Sequence, residues 1–252
     1  MEYIDIDSKD FDNNSILFNN GYESKIYIYK NNNKELLIKK FYDELNVDKI
    51  EKVSRVKSDT LILPKKLVRI NNDVVGYTMN YKKNFYPINV MKKIMDDETK
   101  YNVLLKLKEE FINLRKQNCI YGDLNLNNVI TDGTKIYLCD SLNIKIDNYN
   151  FDEISSTMNE YKINKETLEG IDCYMLNLLT IYLFNDIEYD EIINIISLTL
   201  SNMFNNNMFI DYIGINNNQE CMSICYEMIS DDICSKFLVD YIKLEKQKQF
   251  NC

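Results

Sequence analysis

The spacing of apolar residues changes once along this chain, and that change limits the architectures open to it. Up to about residue 95 the apolar positions come in short runs or alternate with polar ones, as strands require. Beyond about residue 99 they recur every three or four residues, as helices require. Ile16 to Phe18 reads as a strand closed by the turn Asn19-Asn20-Gly21, and Lys25 to Tyr29 alternates as a half-buried strand should. Asn31 to Lys34 is a polar hairpin tip leading into a strand over Glu35 to Phe41. Asp48 to Val56 carries Ile50, Val53 and Val56 at helical spacing. Leu67 to Ile70 and Val74 to Tyr81 flank Asn71-Asn72-Asp73, a strong hairpin signal. Tyr101 to Asn118 then sets Leu104, Leu107, Phe111 and Leu114 on one helical face. Val129 to Thr131 and Lys135 to Cys139, joined through Asp132-Gly133, read as a two-stranded ribbon. Helices are expected over Leu168 to Phe184, over Tyr189 to Leu200 and twice between Cys221 and Lys246, with a loop over Asn205 to Asn218. The expected class is α+β: a strand-rich part with one helix, residues 1–82, and a mainly helical part, residues 83–252, joined near Tyr81 to Asn84.

Composition removes several functions. The 252 residues contain no His, which excludes a His base, a Ser-His-Asp triad and imidazole metal ligands. Acid–base work falls to carboxylates, Lys, Tyr or Cys, and a metal would sit among oxygen atoms, which favours Mg²⁺ or Mn²⁺. The net charge of −9 argues against nucleic acid and anionic membranes as partners. Seven scattered Cys and no signal-like start lead us to expect a reducing, cytoplasmic location with buried free thiols, Cys139 among them. Cys221 and Cys225 are expected to pack in the core. The longest apolar run, Cys173 to Phe184, is interrupted by Asn177 and is too short to span a bilayer.

The chemistry concentrates in Tyr121-Gly122-Asp123-Leu124-Asn125-Leu126-Asn127-Asn128, which follows the long amphipathic helix and enters the ribbon. Asp140 stands at the ribbon's far end, so folding the ribbon brings the region of Asn128 beside it. Two carboxylates and a carboxamide, with Lys39 at the end of an apolar strand, are the groups phosphoryl transfer needs. One acid takes a proton, oxygen ligands hold a cation against the phosphates, and a fixed positive charge steadies them.

In this order and context the segments resemble the protein-kinase-like superfamily, over roughly residues 15 to 190. Leu36-Leu37-Ile38-Lys39 resembles the V-A-I-K strand, Tyr121-Gly122-Asp123 the H-R-D motif, and Asp140-Ser141-Leu142 the D-F-G motif. The resemblance implies a bilobal fold, with an antiparallel-sheet lobe carrying one helix and a helical lobe. It also implies an ATP-dependent kinase using Mg²⁺ or Mn²⁺. Lys39 would position the phosphates, steadied by Glu51, with Glu44 the alternative. Asp123 would be the catalytic base, and Asn128 and Asp140 would bind the metal. Asp172 would anchor the catalytic loop from below. Gly21, Ser24 and Ile26 fall in the degenerate glycine-rich loop, and Met79, Asn80 and Tyr81 on the strand and hinge that would hold the adenine.

Two departures bear on mechanism. Gly122 stands where the family has an arginine that pairs with a phosphorylated activation loop, which implies that the loop is not switched in that way. Asn125 stands where Ser/Thr kinases have a phosphate-steadying lysine, and the G-D-L-N form is similar to that of small-molecule kinases. The acceptor expected is a protein Ser or Thr. A small-molecule acceptor, or a pseudokinase acting as a nucleotide-binding interaction module, remains the alternative.

Overall fold

The computed structural model describes residues 1–13, 16–18, 23–31, 34–149 and 171–184. Two compact units divide the chain: Met1–Phe85 with Asp140–Leu142, and Tyr86–Cys139 with Asn143–Cys252. The division falls three residues beyond the expected boundary at residue 82, and the short segment Asp140–Leu142 joins the first unit although it lies far along the chain. Taken together, the described residues are α+β with a mostly antiparallel sheet. The expected helices over Tyr189 to Leu200 and between Cys221 and Lys246, the Asn205 to Asn218 loop, and Cys221 and Cys225 lie outside the described residues.

The first unit is built on strands β1 (Glu2–Asp5), β2 (Ile16–Phe18), β3 (Ser24–Asn31), β4 (Lys34–Phe41), β5 (Lys66–Ile70) and β6 (Asp73–Asn80). They form one sheet in the order β1-β5-β6-β4-β3-β2. The hairpin between β5 and β6 turns on Asn71 and Asn72, at φ 52° and 74°. A two-residue turn with both central residues in the left-handed region matches the twist of the flanking strands, and Asn tolerates that region. Two helices, α1 (Ser8–Asn13) and α2 (Val47–Val53), belong to this unit. α2 starts where the Asn46 side chain accepts the Lys49 amide, and buries Ile50 and Val53.

This corrects the expectation of an all-antiparallel sheet with one helix. β1 runs parallel to β5, pairing Glu2 with Lys66 and Asp5 with Arg69. Opposite charges therefore face each other along the edge: Lys66 meets Glu2 at 2.7 Å, and Arg69 holds Asp5 through two bonds of 2.8 and 3.0 Å. Behind this strand Ile6 and Phe11 close over Tyr27, Ile38 and Val68, with Phe11 edge-on to Tyr27 at 5.0 Å. β1 is only four residues long and α1 carries one apolar residue, Phe11, so hydrophobic periodicity did not mark them.

The second unit contains β7 (Tyr86–Pro87), α3 (Ile88–Met91), α4 (Asp97–Lys116), β8 (Cys119–Ile120), β9 (Val129–Thr131), β10 (Ile136–Leu138), β11 (Lys145–Ile146) and α5 (Ile171–Phe184). α4 opens earlier than its apolar pattern suggests because the Asp96 carboxylate accepts the Thr99 amide, and Asp97 and Glu98 fill the first turn. Val103, Leu104, Leu107, Phe111 and Leu114 of α4 are buried, as are Met175, Leu176, Leu178, Leu179 and Leu183 of α5, which packs against it. Asn118, at φ 56°, ends α4 and turns the chain into β8. β9 pairs with β10 in the expected ribbon, Val129 opposite Leu138, and β11 pairs antiparallel with β8. No helix among the described residues is long and apolar enough to cross a membrane.

Candidate functional site

In the second unit the loop after β8 is held from beneath by one buried carboxylate. Asp172, in the first turn of α5 and 1% exposed, accepts the Tyr121 amide at 3.0 Å and the Gly122 amide at 2.8 Å. Burial pushes its pKa above the usual aspartate value, while the two amides and Arg115 pull the other way. Gly122 has φ 70°, a conformation that a side chain rarely adopts, and this turn presents its amide to Asp172. Tyr121 is fully buried, stacks on Phe111 at 6.3 Å and donates its hydroxyl to the Cys139 carbonyl at 2.5 Å. Cys139 in turn donates its amide to the Asn128 carbonyl at 2.8 Å, which extends the ribbon to the residue before Asp140.

Asp123 is 5% exposed and surrounded by carboxamides. Asn128 Nδ2 donates to its Oδ2 at 2.8 Å and to its main-chain oxygen at 3.0 Å. Asn125 Nδ2 donates to Oδ1 at 3.3 Å, while its own Oδ1 accepts the Asn127 and Asn128 amides, each at 3.0 Å. That second pair of bonds is an Asx turn, and it explains why Asn125 and Asn128 converge on one acid. Asn143 Nδ2 adds a further bond to Oδ2 at 3.0 Å. Sequence reasoning missed Asn143, because no motif position marks it and its approach depends on the pairing of β11 with β8.

In the first unit Lys39 lies on β4 in a cross-strand row with Ile26 and Tyr77. Its side chain is 8% exposed, and Nζ donates to Asp140 Oδ1 at 2.5 Å. Burial lowers the lysine pKa most, but the Asp140 carboxylate, with Tyr77 and Glu23, more than offsets it, so the net shift is upward and the side chain stays charged at neutral pH. Asp140 takes φ 53°, and the next residue, Ser141, is buried with its hydroxyl on the Ile62 carbonyl at 2.9 Å. That bond fixes the turn that carries Asp140.

Glu51 is not the partner of Lys39. Its carboxylate accepts the Met1 amino group at 2.7 Å and lies 3.6 Å from Arg55, one helical turn along. The side chain sits on the half-exposed face of α2, whereas Asp140 lies in reach of the buried ammonium. Ser24 and Ile26 are residues of β3, opposite Phe41 and Lys39, and Ser24 is buried. Met79 is a buried residue of β6 opposite Leu37, Asn80 ends that strand half-buried, and Tyr81 follows it. Gly21 lies outside the described residues. Cys119 is buried as expected, its thiol pushed up to about 11 chiefly by burial, whereas Cys139 is half-buried.

Among the described residues no three acidic or thiol side chains converge on one point. Asp140, in the first unit, carries an oxygen donor of the kind Mg²⁺ takes, and Asn128, in the second, has its side-chain oxygen to offer because its amide nitrogen is committed to Asp123. No protein-family model matches the chain, and no curated protein matches it in sequence.

Proposed function

We propose that the chain is a bilobal protein-kinase-like phosphotransferase that moves the γ-phosphate of ATP to a hydroxyl, with protein Ser or Thr as the acceptor. The observation that carries this reading is the pairing of Lys39 with Asp140, 101 residues apart in sequence, in a partly buried contact. A buried lysine needs a counter-charge, and Asp140 supplies one. The clamped carboxylate of Asp123 supports the same reading from the second unit.

Lys39 binds the phosphate oxygens. Asp140 and Asn128 are the residues that would hold Mg²⁺ or Mn²⁺, which neutralises phosphate charge when bound. Asp123 orients the acceptor hydroxyl. The acceptor oxygen bonds to the γ-phosphorus, the bond to the β–γ bridging oxygen breaks, ADP leaves with that electron pair, and the hydroxyl proton passes to the Asp123 carboxylate. Most of the acceleration comes from position and charge.

A small-molecule acceptor is the second reading. It is favoured by Asn125, whose amide faces Asp123 where Ser/Thr kinases have a lysine. Intact-mass analysis after incubation with Mg-ATP and generic protein substrates tests both. Phosphate-sized gains that vanish in Asp123→Asn support a protein kinase. ADP release without any gain moves the acceptor to a small molecule, and equal activity in Asp123→Asn refutes the assignment of the base.

A further inference from the structure

Three carboxamides reach the Asp123 carboxylate: Asn128 at 2.8 Å and Asn143 at 3.0 Å donate to Oδ2, and Asn125 at 3.3 Å to Oδ1. Asn143 is delivered by local structure: Lys145 pairs with Ile120 and Ile146 with Cys119. Running that antiparallel register back by two residues sets Asn143 opposite Gly122, beside Asp123. Ile144, between Asn143 and β11, is fully buried and pins the approach.

We propose that Asn143 is a positioning residue for Asp123: with Asn128 it holds Oδ2 and fixes the plane of the carboxylate that takes the acceptor's proton. The proposal rests on the phosphotransferase reading. It assigns a task to a residue outside the three motifs. Neutral amides suit this task. They orient the acid without adding a full positive charge, which would make it a poorer proton acceptor.

The test is ADP release from Mg-ATP with dephosphorylated casein as acceptor, in a two-by-two set: the unmodified protein, Asn143→Leu, Asp123→Asn and the double variant. Losing one amide bond to a charged group predicts that Asn143→Leu lowers kcat by roughly 10- to 100-fold, with KM for ATP changed by less than about twofold. In the Asp123→Asn background the same substitution changes residual turnover by less than about twofold, because Asn143 acts through the missing carboxylate. Asn143→Ala replaces Asn143→Leu if the leucine variant melts below the assay temperature. An unchanged kcat in Asn143→Leu, beside a collapse in Asp123→Asn, overturns the proposal and leaves the phosphotransferase reading standing. An equal loss in both backgrounds also overturns it, since a merely structural role acts without regard to Asp123. No ADP release by the unmodified protein, or full activity in Asp123→Asn, overturns the reading and the proposal together.

Discussion

Replacing Gly76 by alanine should damage the first unit more than any other single methyl addition at a described glycine. Gly76 lies on β6 opposite Lys40 of β4 and next to the register shift between Val68 and Arg69 of β5. A Cβ built there stands 2.1 Å from the Lys39 carbonyl oxygen, against the 3.0 Å below which Cβ atoms do not approach, so β4 and β6 must part by about 0.9 Å. The obstacle is backbone, which cannot swing aside as a side-chain tip can. Opening the ladder by that distance stretches neighbouring N–H···O contacts from about 2.9 Å to beyond bonding range. Two such bonds at about 1 kcal/mol each, with overpacking of about 1–3 kcal/mol, give a loss of about 3–5 kcal/mol. For a chain of this size that lowers Tm by roughly 6–20 °C. Gly133→Ala is the control. Its φ of 91° strains any side chain, but the new methyl meets only Thr99 Cγ2 at 3.8 Å and Met91 Cε at 3.9 Å, so a loss near 1 kcal/mol is expected. Thermal melts of both variants by circular dichroism decide the matter. A Gly76→Ala Tm equal to that of the unmodified protein, or above that of Gly133→Ala, refutes the steric reasoning.

Asp172→Asn should change how stability depends on pH. Burial raises the Asp172 pKa in the folded protein, so the folded state keeps its proton to higher pH than the unfolded chain does. That stabilisation is complete below the ordinary aspartate value of 3.8 and is lost as the pH rises through the folded value, and the pH-resolved difference in urea midpoint between the two proteins should show that fall. Lys39→Met should remove the counter-charge of Asp140 and weaken ATP binding at least about tenfold by calorimetry, whereas Glu51→Gln, whose carboxylate pairs with the Met1 amino group and Arg55, should change affinity by less than about twofold. With its thiol pushed up to about 11, Cys119 is about one part in a thousand thiolate at pH 8, so in peptide-mapped iodoacetamide labelling it should react roughly 200-fold more slowly than an ordinary exposed cysteine.

What was legible in the sequence is what short-range physics controls. The hairpin at Asn71 and Asn72, the apolar face of α4 and the ribbon of β9 and β10 follow from turn chemistry and periodicity, and each stands where those signals put it. The contacts of Asp172 with the Tyr121 and Gly122 amides, some fifty residues apart in sequence, were expected only from the resemblance. Long-range pairing is another matter. β1 carries four mostly exposed residues, and its place at the sheet edge depends on charges more than sixty positions away. Glu51, with Glu44 as the alternative, was expected to steady Lys39; Asp140 is instead the acid that the fold brings to the ammonium, and Glu51 meets the Met1 amino group.

Gly122 ties these levels together. On the sequence alone it is a missing arginine, a loss measured against a motif. In the folded chain it is the residue that takes φ 70° so that two successive amides can meet one buried carboxylate. A side chain at that φ costs of order 1 kcal/mol unless the surroundings compensate. Glycine removes that cost. The Asp123 side chain, next along the chain, accepts from the carboxamides of Asn125, Asn128 and Asn143. An asparagine-rich loop that looks like compositional bias is, at these positions, the means of holding one carboxylate still.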